Sequence, residues 1–92
     1  MTEIKYFVAF DLGATSGRTI LGKLDGEKLS LKEITRFPNR MLQWNGHFYW
    51  NIFSLFDHIK KGLAEVVRLG VEVTSVGIDT WGVDIVSVNS DG

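Results

Sequence analysis

Residues 11–18 read Asp11-Leu12-Gly13-Ala14-Thr15-Ser16-Gly17-Arg18. The apolar run before them, Tyr6-Phe7-Val8-Ala9-Phe10, reads as a buried strand. The run after them, Thr19-Ile20-Leu21-Gly22-Lys23-Leu24, reads as another. A carboxylate ending one strand, then a turn of glycines and hydroxyls leading straight into the next, suits a nucleotide phosphate. Gly13 and Gly17 are expected to take positive φ and let a phosphate approach backbone N–H groups. Thr15 and Ser16 offer hydroxyl donors, and Arg18 adds a cation. Asp11, charged at neutral pH, repels phosphate and is assigned to a metal ion or its water shell. The stretch has neither a Gly-Lys-Ser/Thr ending nor a G-x-G-x-x-G opening a helix. It is a hairpin type of phosphate loop or an ordinary hairpin turn.

The first strand covers residues 4–11, with Ile4, Tyr6, Val8 and Phe10 on one face and Phe7 and Ala9 on the other. Two apolar faces predict a central position in a sheet. A second strand over 17–24 joins a third over 28–36 through Asp25-Gly26, a strong hairpin signal. Lys28, Lys32 and Glu33 suit the third strand to a sheet edge. The three form an antiparallel meander, and Pro38 ends it. Asn45-Gly46 then lies between Met41-Leu42-Gln43-Trp44 and His47-Phe48-Tyr49-Trp50, which predicts a small second hairpin. Its aromatic side chains either contact a ligand, as sugars stack on such faces, or cap the core or a neighbouring part of the protein. His47 and His58 have no partners at metal-ligand spacing and are read as solvated.

Ile52, Leu55, Phe56, Ile59, Leu63 and Val66 recur in steps of three and four, which predicts a helix with one apolar stripe against the sheet. Asn51 serves as N-cap and Gly70 as the C-terminal left-handed residue. A helical crossover then brings residues 73–80 parallel to the first strand. Past that strand's end comes Gly77-Ile78-Asp79-Thr80-Trp81-Gly82-Val83-Asp84. Ligands gather beyond the carboxyl ends of strands in sheets of this kind, and Asp11 and Asp79 are expected on one edge. The stretch is either an acceptor site facing the phosphate turn or a turn into a further apolar strand over 83–88.

Ninety-two residues make one small domain at most, burying about 60–65% of its unfolded surface. A content of 45% hydrophobic and 12% aromatic residues is that of a globular chain. A net charge of −1, from 10 Lys+Arg against 11 Asp+Glu, gives no footprint for nucleic acid or anionic lipid. The absence of cysteine excludes disulfides and thiolate metal sites. No apolar run approaches the ~20 residues of a membrane span, and Met1-Thr2-Glu3 is no signal peptide. A soluble cytoplasmic protein with no membrane or nucleic-acid partner is expected.

The two motifs, Asp-Leu-Gly-Ala-Thr-Ser-Gly-Arg and Gly-Ile-Asp-Thr-Trp-Gly-Val-Asp, together resemble the amino-terminal end of the FGGY carbohydrate kinases. The resemblance covers essentially the whole chain and includes the tryptophan before the helix, with Asn51 where Asp is expected. It implies an α/β, ribonuclease H-like fold of the actin/Hsp70/sugar kinase type, of which residues 1–92 are an incomplete first domain. It implies ATP and Mg²⁺ as cofactors, with Gly13, Ala14, Thr15, Ser16, Gly17 and Arg18 on the nucleotide and Asp11 on the metal. Thr-Trp-Gly-Val-Asp points to the branch acting on L-rhamnulose, a ketose phosphorylated at its 1-hydroxyl in L-rhamnose breakdown. The L-fuculose branch carries Phe at the Trp. Gly82, Trp81 and Asp84 are the sugar-side residues. Gly82 leaves room and exposes its N–H, Trp81 walls off an apolar end, and Asp84 accepts hydroxyl hydrogen bonds if it points inward.

The same resemblance implies that the catalytic base, the adenosine pocket and a second lobe lie outside these residues. The expected fragment ends mid-hairpin at Asp91-Gly92 and is inactive alone. Two other readings stay open. A ribonuclease H-like nuclease would recruit Asp11 and Asp79 with carboxylates of the helix, but Asp57 and Glu65 fall off that face. A non-enzymatic actin- or Hsp70-like nucleotide-binding module would need no sugar site.

Overall fold

In a computed structural model, which describes residues 3–92, the meander is present as read. Residues 1 and 2, part of the segment excluded above as a signal peptide, lie outside the described residues. Strands β1 (Ile4–Leu12), β2 (Ser16–Asp25) and β3 (Lys28–Pro38) are followed by β4 (Met41–Trp44) and β5 (His47–Trp50). Helix α1 (Ile52–Arg68) and strand β6 (Val73–Thr80) complete the elements. The main sheet has the order β3-β2-β1-β6, with β1 and β6 parallel and the other pairs antiparallel. The result is a small α/β domain on a mixed sheet. Strands β4 and β5 form a separate ribbon.

Local chemistry explains the connections. Asp25 pairs with Lys28, leaving a two-residue loop in which Gly26 takes φ 64°. Asn45 and Gly46, with φ 51° and 77°, give the β4–β5 hairpin the left-handed turn that matches strand twist. The Asn51 side chain accepts from the Ser54 N–H at 3.1 Å and so caps α1. Gly70, at φ 75°, ends it.

The core lies between α1 and one sheet face. Val8, Phe10 and Leu12 of β1, Leu21 of β2, Phe37 of β3, and Leu55 and Val66 of α1 are buried together. Thr19 is fully buried beneath Gly62, where a Cβ would come 2.0 Å from its Oγ1. Gly62 therefore lets the helix sit down on β2. The opposite face, with Phe7, Ala9, Ile20 and Leu31, lines an open apolar trough.

Four expectations change. The helix stripe is narrower than its periodicity suggests, because Ile52 and Phe56 stay 61% and 60% exposed while Leu55, Gly62 and Val66 face the sheet. Residues 83–88 form no strand. Val83 takes φ 62°, a costly conformation for a β-branched residue, and no described strand lies beside β6 to pair with an extension. His58 is not solvated but half-buried, its ring stacked on Phe37 with centroids 4.1 Å apart. Gly13 and Gly17 are not among the glycines at positive φ. Their freedom is used for close approach instead: a Cβ at Gly17 would lie 2.2 Å from Phe37 Cζ, and one at Gly13 would lie 2.8 Å from the Ser16 carbonyl oxygen.

Candidate functional site

Parallel pairing of β1 with β6 puts Asp11 opposite Asp79 and Leu12 opposite Thr80. The turn after β1 and the segment after β6 therefore leave the sheet side by side at its carboxyl edge. The two motifs, far apart in sequence, meet there.

The first turn is held by hydrogen bonds. Gly13 N–H donates to the Ser16 carbonyl at 2.9 Å. Asn39, just past β3 and only 8% exposed, donates its backbone N–H to the Thr15 carbonyl and its side-chain Nδ2 to the Gly13 carbonyl, both at 2.9 Å. A trans peptide points its C=O and N–H in opposite directions. With the Gly13 carbonyl turned to Asn39, the Ala14 N–H points away from Asn39. Ala14 and Thr15 are exposed and Ser16 is half-buried, so their amides and hydroxyls are accessible. Gly17 is buried within the β1–β2 ladder, opposite Leu12 and against Phe37.

Arg18 stands opposite Asp11 on β2 and forms an ion pair with it. Hydrogen bonding from Asp79 and from Arg18 holds the Asp11 carboxyl below its usual pKa. Asp79 is pushed the other way, first by its hydrogen bond to Asp11, then by desolvation and the Asp11 charge. Arg18 is held above its ordinary value by Asp11. The trio amounts to one anionic carboxylate, one carboxyl that keeps its proton more readily, and a cation paired with the anion. Two oxygen-donor side chains at a strand edge match what Mg²⁺ takes from a protein when phosphates and water complete its shell. Among the described residues no group of three or more His, Cys, Asp or Glu is placed to hold a metal.

The second segment builds a different surface. Trp50 of β5 and Trp81 pack with ring centroids 4.3 Å apart, and both indoles donate to Asp84 Oδ2, at 2.6 and 3.2 Å. They wall a cavity of about 330 Å³ with Leu12, Leu55 and Thr80. Gly82 has open space where a side chain would be. Asp84 turns Oδ2 to the two tryptophans, and its other carboxylate oxygen has no hydrogen-bond partner among the described residues.

Sequence reasoning missed Asn39 and left Trp50 undecided. Nothing in the Pro38-Asn39 pair signals a contact with Gly13, which depends on β3 running back beside β2. Asp57 and Glu65 pair with Lys61 and Arg68 on the helix surface, at 2.9 and 3.1 Å, and do not join Asp11 and Asp79.

No protein-family model matches the chain. Among curated proteins, it is 55% identical over 86 residues to a rhamnulokinase of Bacteroides thetaiotaomicron, covering 94% of this chain and 18% of that protein. The chain is similar to rhamnulokinases along nearly its whole length. The rhamnulokinase of Ligilactobacillus salivarius is 48% identical over 89 residues, covering 97% of this chain and 18% of its own. That of Halalkalibacterium halodurans is 46% identical over 83 residues, covering 90% and 18%. This chain thus spans 18% of the length of the rhamnulokinases it matches. Among the described residues no helix is long and apolar enough to cross a membrane.

Proposed function

We propose that these residues are the amino-terminal part of the first domain of an FGGY carbohydrate kinase, built on the ribonuclease H-like fold. The whole enzyme, a cytoplasmic protein, transfers the γ-phosphoryl group of ATP to the 1-hydroxyl of L-rhamnulose. The observation that carries this reading is the meeting of the Gly13–Ser16 turn and the Trp81–Asp84 segment at one sheet edge, in a chain similar to rhamnulokinases.

Each part has a physical role. The Ala14 N–H and the hydroxyls of Thr15 and Ser16 donate to phosphate oxygens, where oriented dipoles stabilise charge at no reorganisation cost. Arg18 keeps Asp11 ionised and limits its repulsion of the nucleotide. Mg²⁺, when bound, offsets charge on the transferred group, and Asp11, with Asp79 beside it, would hold the ion or its waters. Gly82 admits the ketose, and its N–H is available to a sugar hydroxyl. In the reaction the 1-hydroxyl oxygen bonds to the γ-phosphorus and the bond to the β–γ bridging oxygen breaks, releasing ADP. The hydroxyl proton passes to a base supplied by the remainder of the protein. The 92 residues alone hold part of a site and are inactive.

The test is product formation by the full-length gene product with ATP, Mg²⁺ and L-rhamnulose. L-rhamnulose 1-phosphate and ADP in equal amounts are expected. Sugar-independent ATP turnover would favour a nucleotide-switched module, and faster turnover of L-fuculose would move the substrate to that branch.

A further inference from the structure

Asp84 makes an arrangement that a sugar ligand would not need. One of its oxygens accepts from the indole N–H groups of both Trp50 and Trp81, at 2.6 and 3.2 Å. These residues come from the β4–β5 ribbon and from the segment after β6, so the carboxylate ties two separate parts of the chain. The rings lie face against face, their centroids 4.3 Å apart and their planes tilted by 38°, each leaving its outer face and edge free of the other. The cavity of about 330 Å³ beside them is lined by Leu12, Ile52 and Leu55, with Thr80 also in its wall. Asp84 lines this space too, with its Oδ2 held by the two indole N–H groups.

We propose that Trp50 is a specificity-determining residue that, with Trp81, receives the apolar, deoxy end of the ketose, and that Asp84 is a positioning residue for the two indoles. The inference rests on the carbohydrate kinase reading and names which end of the sugar the cavity takes. Indole faces pack well against C–H groups and a methyl. The same carbon carrying a hydroxyl would lose hydration against a wall made mostly of apolar side chains. An apolar pocket discriminates against an added hydroxyl by about 10- to 100-fold, so the selectivity is real but moderate.

The experiment compares kcat/KM for L-rhamnulose and for L-fructose, which differs by a hydroxyl at the terminal carbon, in the full-length enzyme. The wild type should favour L-rhamnulose by about 10-fold or more. Trp50→Ala should shrink that preference to within about threefold by raising KM for L-rhamnulose, with KM for ATP held. Trp50→Phe keeps an aromatic ring without the N–H and should lie between them, which preserves the test if Trp50→Ala does not fold. Asp84→Asn retains one acceptor oxygen and should reduce the preference in the same direction. An unchanged preference in both Trp50 variants would overturn the assignment. So would a KM rise in Asp84→Asn that is equal for the two sugars, the sign of a direct hydroxyl ligand. A wild type that phosphorylates neither sugar would instead remove the kinase reading itself.

Discussion

The Asn39 side chain donates to the Gly13 carbonyl at 2.9 Å, across 26 residues of sequence, and fixes the peptide that aims the Ala14 N–H out of the turn. The Asn39 backbone secures Thr15 as well. The end of the edge strand thus sets the geometry of the Gly13–Ser16 turn.

Asn39→Ala should release the Gly13 peptide while leaving the backbone bond to Thr15 in place. A lost hydrogen bond of about 1 kcal/mol predicts a rise of about fivefold in KM for ATP. KM for L-rhamnulose should not move. Steady-state kinetics varying each substrate separately check this, and equal rises in both constants would reduce Asn39 to a general structural role.

Asp11→Asn in the full-length enzyme should lower kcat by about a hundredfold or more, the usual scale for losing an electrostatic contributor. The folded structure should persist, because Asp11 lies near the carboxyl end of β1 and is half-exposed. Rates measured across Mg²⁺ concentrations, with a melting curve beside them, decide the matter. Near-normal turnover at limiting Mg²⁺ would take Asp11 out of metal binding.

The Asp11–Asp79 pair predicts a proton-linked metal site. Asp79 titrates above the ordinary carboxylate value and Asp11 below it. At a pH between the two, Asp79 holds its proton while Asp11 is charged. Mg²⁺ favours the ionised pair and should expel that proton. The signs for stability oppose each other. The raised Asp79 contributes below its unfolded pKa and loses that contribution as pH rises through its folded value. The lowered Asp11 contributes above its unfolded pKa and loses it as pH falls through its folded value. Calorimetric Mg²⁺ titrations of the full-length enzyme, run near that pH in buffers of different ionisation enthalpy, should show proton release in the wild type and none in Asp79→Asn.

Gly17→Val should damage ATP use together with stability, since its Cβ would meet the Phe37 ring at 2.2 Å. Phe37 is buried and stacked on His58, so it cannot swing clear without opening the helix packing. Overpacking of this kind costs about 1–3 kcal/mol, read as a lower Tm in thermal unfolding. An unchanged Tm would mean that the ring relaxes freely.

Much of this was legible from residues alone, for identifiable reasons. The meander, the Asn51 cap, the Gly70 stop and the parallel return of β6 follow from turn chemistry and periodicity, which are local. Asp11 beside Asp79 followed from one further rule, the parallel crossover. Periodicity could not tell which of the apolar helix residues face the sheet, since Leu55 and Phe56 both fit the stripe. Nor could it show that Gly17 serves ring packing, because a glycine signals missing bulk and positive φ alike. The Asn39–Gly13 bond and the Trp50–Asp84–Trp81 cluster join segments with no sequence relation, and only the folded chain brings them together.

An acceptor site at the segment after β6 is tested most directly by the kinetic response of the full-length enzyme to Gly82→Leu. Gly82 has open space at its Cβ, so leucine can be accommodated by the fold while filling the volume assigned to the sugar. KM for L-rhamnulose should rise by at least about tenfold while KM for ATP stays within about twofold of the wild type, the pattern of a lost acceptor site. An unchanged KM for L-rhamnulose would place the sugar elsewhere and contradict the account.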